Sequence, residues 1–375
     1  MNTTDYYEIV RQKLILGPLS APKHPKVIEL LKVFWNEDEI KLLSHFPTAD
    51  KFIPLNELVE KSGISKAEVK KMLNRMHEKR VICKSGSKYG LLPLAPGIFE
   101  AYFSARRDSA DNLKKAAKLM DYFLKNILSF RFIDHNFSFL RPLLPIEAKQ
   151  KFIQLDESVE YASQVLPYEL VERLINEHNK FAVIPCQCRL VAELNGEPCS
   201  LAKAEDGCFI AGIGAQYIAD TGMGRLLNKQ EAIEYLKKTE KAGLVHNTTY
   251  CSGLESSMFI CNCCPCHCGV LGPTRQFGLP LTKKSNFEPV IDNDLCVKCE
   301  TCVKKCPMDA IYHQFPLHPD SSDDKIIVRT EICIGCGLCA SNCAKNAIVM
   351  KKVRNDIPPK ELKLGNKTFT ELIIS

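Results

Sequence analysis

The sequence predicts an α+β chain of several domains, and three observations carry that reading. Residues 1–182 alternate helical and hairpin patterns and hold one cysteine, Cys83. The other eighteen of the 19 cysteines fall between Cys186 and Cys343. Within that half, a four-cysteine run occurs twice. With 375 residues, 45% apolar and 25% charged, the chain has the make-up of a globular protein with room for roughly two to four domains. The expected organisation is an N-terminal helix (1–23), a helix–hairpin domain (24–96), a helical connector (97–182), a mixed α/β cysteine-rich region (183–284), a cysteine-repeat domain (285–352) and a tail (353–375).

In the N-terminal part, Leu55–Val59 and Ser65–Met76 read as two short helices joined by Ser62-Gly63, with Ser65 and Glu68 as a capping box. Val81–Cys83 and Tyr89–Leu92, around the turn Ser85-Gly86-Ser87, read as a hairpin. Helix, turn, helix, hairpin is the winged-helix order. Val69, Leu73 and Met76 would face the core, and Lys66, Lys70, Lys71 and Arg75 would face out, with Lys84 and Lys88 on the wing. Ten Lys or Arg against four Glu between Lys51 and Gly90 match the +6 of the whole chain, so any basic patch belongs here. DNA is one partner such a domain could take. Docking of a protein or formation of a homodimer is the other use, because fold does not settle function.

The connector reads as mostly helical. Residues 111–128 form an amphipathic helix burying Leu113, Ala116, Ala117, Met120, Phe123, Leu124 and Ile127, Arg141–Glu157 reads as strand or loop, and a second helix follows Pro167. Phe130, Phe132, Phe137 and Phe139 are expected in the core. In the tail, Phe369, Leu372 and Ile373 could pack back on the body.

The repeat carries the sharpest signal. Cys296-x2-Cys299-x2-Cys302-x3-Cys306-Pro307 recurs as Cys333-x2-Cys336-x2-Cys339-x3-Cys343. Eight cysteines at fixed offsets are the signature of a bacterial two-cluster ferredoxin, in which the fourth Cys of each run ligates the other cluster. Cys296, Cys299, Cys302 and Cys343 are therefore assigned to one [4Fe-4S] cluster, and Cys306, Cys333, Cys336 and Cys339 to a second. Ala310–Tyr312 and Ala347–Val349 read as strands of two short hairpins, and Gly335 and Gly337 would let backbone approach a cluster. Ala344 stands where proline usually follows the fourth cysteine, and HPDSSDD (318–324) reads as a polar surface loop.

The region before the repeat has cysteines but no standard spacing. Cys186-Gln-Cys188-Arg189 follows a strand candidate, Phe181–Ile184. Cys199, Cys208 and Cys251 come next, then five cysteines in the eight positions from Cys261 to Cys268. In an extended chain Cys261 and Cys263 share one face and Cys264, Cys266 and Cys268 the other, but Pro265 and Gly269 favour a loop. The candidate metal ligands are Cys188, Cys199, Cys208, Cys261, Cys263, Cys264 and Cys268. They could hold one or two further iron–sulfur clusters, or zinc with His267 as a nitrogen ligand, or serve as redox-active thiols. Asn228 with Glu231 caps a helix that Gly243 closes. His246 reads as structural, and the glycines around Cys208 lack a phosphate-loop pattern.

Cys188-Arg189, Cys199, Cys208, Gly243-Leu-Val-His246 and Cys261-Asn-Cys-Cys264, placed just before the repeat, resemble a family of prokaryotic 4Fe-4S ferredoxin-type proteins found mainly in anaerobic bacteria and archaea. The resemblance covers most of the chain and implies iron–sulfur clusters without implying a reaction. The spacing of Cys266-His267-Cys268 departs from that pattern.

No secretory signal opens the chain and no apolar run is long enough to span a membrane, so a cytoplasmic protein with reduced thiols is expected. Neither a dinucleotide fingerprint after a strand nor a Ser-His-Asp pattern is present. The reading that follows is an electron-transfer protein or oxidoreductase subunit with a redox partner protein. A redox- or metal-sensing transcriptional regulator is the alternative, and a stand-alone oxidoreductase using the middle site is a second.

Overall fold

The computed structural model describes residues 4–16, 19–129, 138–148, 169–249, 257–316, 318, 324–359, 363–364 and 367–368. It is mixed helix and strand and falls into two compact units. Cys251, the aromatics Phe130, Phe132 and Phe137, the residue Pro167, most of the 318–324 loop, and Phe369, Leu372 and Ile373 lie outside the described residues. Among the described residues, no helix is long and apolar enough to cross a membrane.

The first unit is Met1–Leu128 with Leu190–Pro198 and Glu361–Ser375. It opens with α1 (Tyr6–Lys13), the short pair β1 (Ile15–Leu16) and β2 (Leu19–Ser20), α2 (Pro25–Phe34) and α3 (Glu37–Leu43). Asn36 caps α3 through a reciprocal box with Glu39. Then come β3 (Phe52–Pro54), α4 (Leu55–Ser62), α5 (Lys66–Glu78), β4 (Ile82–Ser85) and β5 (Lys88–Leu91), with the strands ordered β3-β5-β4 in one antiparallel sheet. The hairpin reaches Ser85, beyond the expected Cys83, because Ser85 pairs with Lys88 across a two-residue turn in which Gly86 takes φ 57°.

Helix α5 buries Val69, Leu73 and Met76 completely, each stabilising the unit by about 1.5–3 kcal/mol relative to exposure. Lys66, Lys70, Lys71 and Asn74 are exposed, while Arg75 Nε donates to Glu39 Oε1 at 2.7 Å. At its start only half of the expected capping box forms. Ser65 Oγ accepts from the Glu68 amide at 3.3 Å, and its hydroxyl then donates to the Glu68 carboxylate at 2.6 Å in place of a Glu68-to-backbone bond. Helices α6 (Phe99–Ala105) and α7 (Ala110–Phe123) complete the unit around Phe34, Tyr102 and Phe103, with Phe34 and Tyr102 edge-to-face at 4.9 Å. The α-helical geometry of α7 ends at Phe123, and the chain continues as a π-helical turn over Leu124–Leu128, so the expected helix reaches Leu128. Leu113 and Ile127 are half-buried, and the rest of the expected apolar face is buried.

The second unit is Ser129–Arg189 and Cys199–Lys360. Its six-stranded antiparallel sheet uses β6 (Leu140–Pro142), β7 (Phe181–Ile184), β8 (Cys208–Gly212), β9 (Arg225–Leu227), β10 (Val245–Thr249) and β11 (Ser257–Cys263), in the spatial order β6-β10-β11-β8-β7-β9. Helices α8 (Val171–Asn176), α10 (Ile213–Asp220) and α11 (Lys229–Ala242) belong to this unit, as do the first residues of α9 (Gln187–Leu194), which from Leu190 on is assigned to the first unit. Phe181 and Phe209 stack at 5.7 Å in its core, where Leu236 of α11 and Ile260 of β11 are also buried. The capping box of α11 forms as expected, with the Glu231 amide donating to Asn228 Oδ1 at 2.9 Å and the Asn228 amide to Glu231 Oε2 at 2.8 Å. Gly243 closes the helix at φ 89°.

After α12 (Leu271–Phe277), the repeat folds as two antiparallel pairs. These are β12 (Phe287–Ile291) with β15 (Ile348–Lys352), and β13 (Ile311–Gln314) with β14 (Lys325–Val328). The helical turns α13 (Thr301–Lys305) and α14 (Leu338–Ser341) carry Cys302 and Cys339.

Candidate metal centre

The cysteine repeat is also a backbone repeat. In the first run Lys298, Glu300 and Asp309 have φ of 57°, 59° and 52°; at the same offsets in the second run Gly335, Gly337 and Asn346 have 68°, 75° and 54°. A left-handed residue on each side of the central cysteine turns successive N–H groups into one concavity, the geometry that receives an anion. Amides already point at sulfur: Ala310 N lies 3.2 Å from Cys306 Sγ, and Gly335 N 3.4 Å from Cys333 Sγ.

The glycines of the second run have a further reason that spacing does not reveal. A Cβ on Gly335 would lie 2.2 Å from the Phe287 carbonyl oxygen, and one on Gly337 2.8 Å from Pro145. They were expected to admit backbone to a cluster, but they equally let the loop pack against β12 and the chain near Pro145.

The two runs interleave. Cys306 of the first run and Cys333, Cys336 and Cys339 of the second line one small cavity whose other walls are apolar, among them Met308, Ile311 and Met350. Cys302 stands in the field of Cys296 and, from the other run, Cys343. Burial pushes the Cys302 thiol up to about 11 and the Cys336 and Cys339 thiols well above the ordinary range, with neighbouring sulfurs adding to each. Cys299 is exposed, and the Thr301 hydroxyl beside it lowers its pKa. Thiols that burial holds neutral, facing a concavity of N–H groups, suit a centre whose irons replace the protons.

In the middle region, sheet register does what spacing does in the repeat. Antiparallel order brings the end of β7, the start of β8, the end of β11 and the start of β10 to one rim. Ile184 pairs with Cys208, Phe209 with Ile260, and Val245 with Cys263. Cys208 and Cys261 sulfurs are thereby 3.5 Å apart. From there the thiols continue as neighbours through Cys263, Cys268, Cys188 and Cys186. Cys261 and Cys263 belong to a strand, contrary to a pure loop reading, while Cys264, Cys266 and Cys268 occupy the turn after it. Gly207 belongs to this packing and not to a nucleotide loop, since a Cβ there would lie 2.0 Å from the Ile184 carbonyl oxygen.

Of the seven expected middle ligands, Cys188, Cys208, Cys261, Cys263 and Cys268 meet along this rim, and Cys199 and Cys264 meet beside it. Cys186 and Cys266, outside the expected set, join them. Cys199, Cys264 and Cys266 form a separate triad with all three sulfurs within 4.8 Å of one another and Cys199–Cys266 at 3.6 Å. Hydrogen bonds from Cys264 and then Cys266 draw the Cys199 pKa far below an ordinary thiol. Hydrogen bonds from Cys261 and Cys268 hold Cys263 down to about 5 against its burial, while Cys261 goes up.

Arg189 was a marker in the sequence and proves to be the cation of the site. It is fully buried, and its guanidinium donates to the backbone carbonyls of Lys203 at 3.1 Å, Asn262 at 2.9 Å and Asp206. No carboxylate pairs with it among the described residues. Burial opposes its charge, and the thiols of Cys186, Cys264, Cys208 and Cys199 outweigh that opposition. An unpaired buried guanidinium costs several kcal/mol, so this arrangement calls for anionic sulfur around it. Only tertiary contacts reveal this.

Two histidines separate by role. His246 Nδ1 lies 2.7 Å from Asn262 Oδ1 and Nε2 3.2 Å from Glu240 Oε1, so it is a satisfied structural group, as expected. His267 is half-buried and stands outside the thiol triad.

Residues 289–312, which contain the whole first cysteine run, match the 4Fe-4S binding domain. This segment binds at least one [4Fe-4S] cluster and supports an iron–sulfur electron-transfer role for the chain. No curated protein matches the chain.

Proposed function

We propose that the chain is an electron-transfer protein or oxidoreductase subunit that passes single electrons through two [4Fe-4S] clusters and a further iron–sulfur centre in the middle region. Cys296, Cys299, Cys302 and Cys343 would hold the first cluster, and Cys306, Cys333, Cys336 and Cys339 the second. The observation that carries this reading is the apolar cavity lined by four cysteines drawn from both runs. Such clusters supply one-electron chemistry at potentials set by hydrogen bonds, charge and exposure.

The surrounding side chains suggest an order. Cys299 is exposed, on the edge where a redox partner could approach. Cys306 packs with Cys302, Cys339 and Cys343 in one apolar cluster and with Cys333, Cys336, Cys263 and Cys268 in the next. The second cluster would therefore lie between the first and the middle thiols. The test is iron and acid-labile sulfide per chain on anaerobically purified protein. About twelve irons with equal sulfide supports the reading, and about eight confines it to the repeat.

A second reading rests on α5, whose exposed Lys66, Lys70, Lys71 and Asn74 form one face of a helix followed by a hairpin. In that reading the domain is a winged helix that binds DNA in a cluster-dependent way. Affinity for duplex DNA that falls steeply with salt and changes on cluster oxidation would favour it. The same affinity for any polyanion in both oxidation states would leave docking of a redox protein as the domain's use.

A further inference from the structure

We propose that Cys199, Cys264 and Cys266 hold a single tetrahedral divalent cation of the zinc class, separate from every iron–sulfur cluster, with its fourth position open to solvent. This goes beyond the electron-transfer reading and stands without it.

The spacing of the sulfurs decides between the two kinds of centre. Thiolates that share one tetrahedral ion at Zn–S near 2.3 Å lie about 3.8 Å apart. Cys199 and Cys266 are 3.6 Å apart, and the whole triad fits within 4.8 Å. Thiolates of a cubane each bind a different iron across the cluster and stand farther from one another. Cys208 and Cys261 are as close as a pair, at 3.5 Å, but among the described residues only this triad brings three sulfurs mutually within 4.8 Å, as one shared ion requires.

Connectivity agrees. Cys186, Cys188, Cys268, Cys263, Cys261 and Cys208 form a run of neighbouring thiols along the strand rim, which adjoins the triad where Cys264 stands in the field of Cys268 and holds enough thiols for a further cluster without it. Exposure differs as well: Cys266 is exposed and Cys199 half-buried, while Cys264 is buried. A cation held there would have protein sulfur on its inner side and water on its outer side. Three protein ligands and one exchangeable position is the arrangement of reactive zinc sites, whereas structural sites close all four.

Charge completes the case. Three thiolates on a divalent ion leave one net negative charge. Among the described residues Arg189 has no carboxylate partner, and it stands in the field of Cys264 and Cys199. Its guanidinium balances that charge from the buried side.

The experiment measures zinc, iron and sulfide on the full-length chain purified anaerobically, beside Cys266→Ser. One zinc per wild-type chain is expected. The variant should lose at least about tenfold in zinc affinity with iron and sulfide unchanged. Cobalt(II) exchanged into the wild type should give the strong thiolate-to-cobalt absorption of a tetrahedral site, weakened in the variant. Zinc-edge X-ray absorption on the wild type, which needs no variant to fold, should show three sulfurs at about 2.3 Å and one lighter atom. Loss of about four irons and four sulfides in Cys266→Ser would overturn the proposal by making the triad part of a cluster. Absence of both zinc and the cobalt band in metal-replete protein would overturn it by leaving only a thiol group. Four sulfur neighbours would overturn the open position.

Discussion

The two cysteine-rich regions solve one problem, the convergence of thiols, by opposite means. In the repeat, ligands lie two or three residues apart, and left-handed residues on either side of Cys299 and Cys336 aim the loop inward. In the middle, Cys186, Cys208 and Cys261 belong to segments far apart in sequence, joined only because β7, β8 and β11 are adjacent strands. A local loop can be written once and copied, as it is here. A rim of strand ends depends on the whole sheet being correct, and it also recruits a buried cation, Arg189, into the field of its thiols.

The largest test of that difference is ligand removal. Cys336→Ser should cost the repeat about four irons per chain, whereas Cys208→Ser should lower middle-site metal and leave about eight irons in place. Iron and sulfide counts on the two variants check this, and loss of repeat iron in Cys208→Ser would show that the regions do not load independently.

Next comes the backbone. Gly335→Ala places a Cβ against the Phe287 carbonyl at a positive φ and should destabilise the fold by about 3 kcal/mol or more. Lys298→Gly at the equivalent position of the first run should change stability by less than about 1 kcal/mol. There, relief of left-handed strain opposes loss of the exposed pair with Asp324. Anaerobic denaturant titration compares the two, and equal effects would mean that the runs are not packed differently.

Arg189→Met sharpens the contrast on the other side. In the metal-loaded chain it should destabilise by about 3 kcal/mol, because anionic sulfur loses its cation. In protein stripped of metal at mildly acidic pH, where most thiols are protonated, the sign should shrink or invert, since the buried charge then has no counterpart. Thermal unfolding of both forms measures it, and equal losses with and without metal would make Arg189 purely structural.

The smallest effect is at His313, whose two ring nitrogens face Glu300 at 2.8 Å and Asp324 at 2.7 Å. Hydrogen bonds to Glu300 and then Asp324 raise its pKa. Its folded pKa lies above its unfolded value, so its contribution is fully present below the unfolded pKa and is lost as pH rises through the folded one. His313→Gln should flatten that pH dependence of stability in the repeat and leave the middle region unaffected.

Much of this was legible beforehand where the cause is local. The buried stripe Val69-Leu73-Met76, the Asn228–Glu231 cap and the strands around Ile311 and Ile348 follow from periodicity and capping chemistry. Where the cause is an alternative local bond, the reading was close but incomplete, as with Ser65, whose hydroxyl prefers the Glu68 carboxylate. Cys186 could have been included from its position directly after a strand, beside Cys188.

By itself the sequence determined the spacing of the repeat and, over residues 289–312, the match to the 4Fe-4S binding domain, because both are written in local residue order. The tertiary structure alone decided the middle. Strand order chose which thiols meet, the mutual approach of three sulfurs within 4.8 Å set the triad of Cys199, Cys264 and Cys266 apart, and burial left the Arg189 guanidinium in need of anionic sulfur around it. Pairing between distant strands is fixed by the packing of the whole sheet, and no spacing along the chain encodes it.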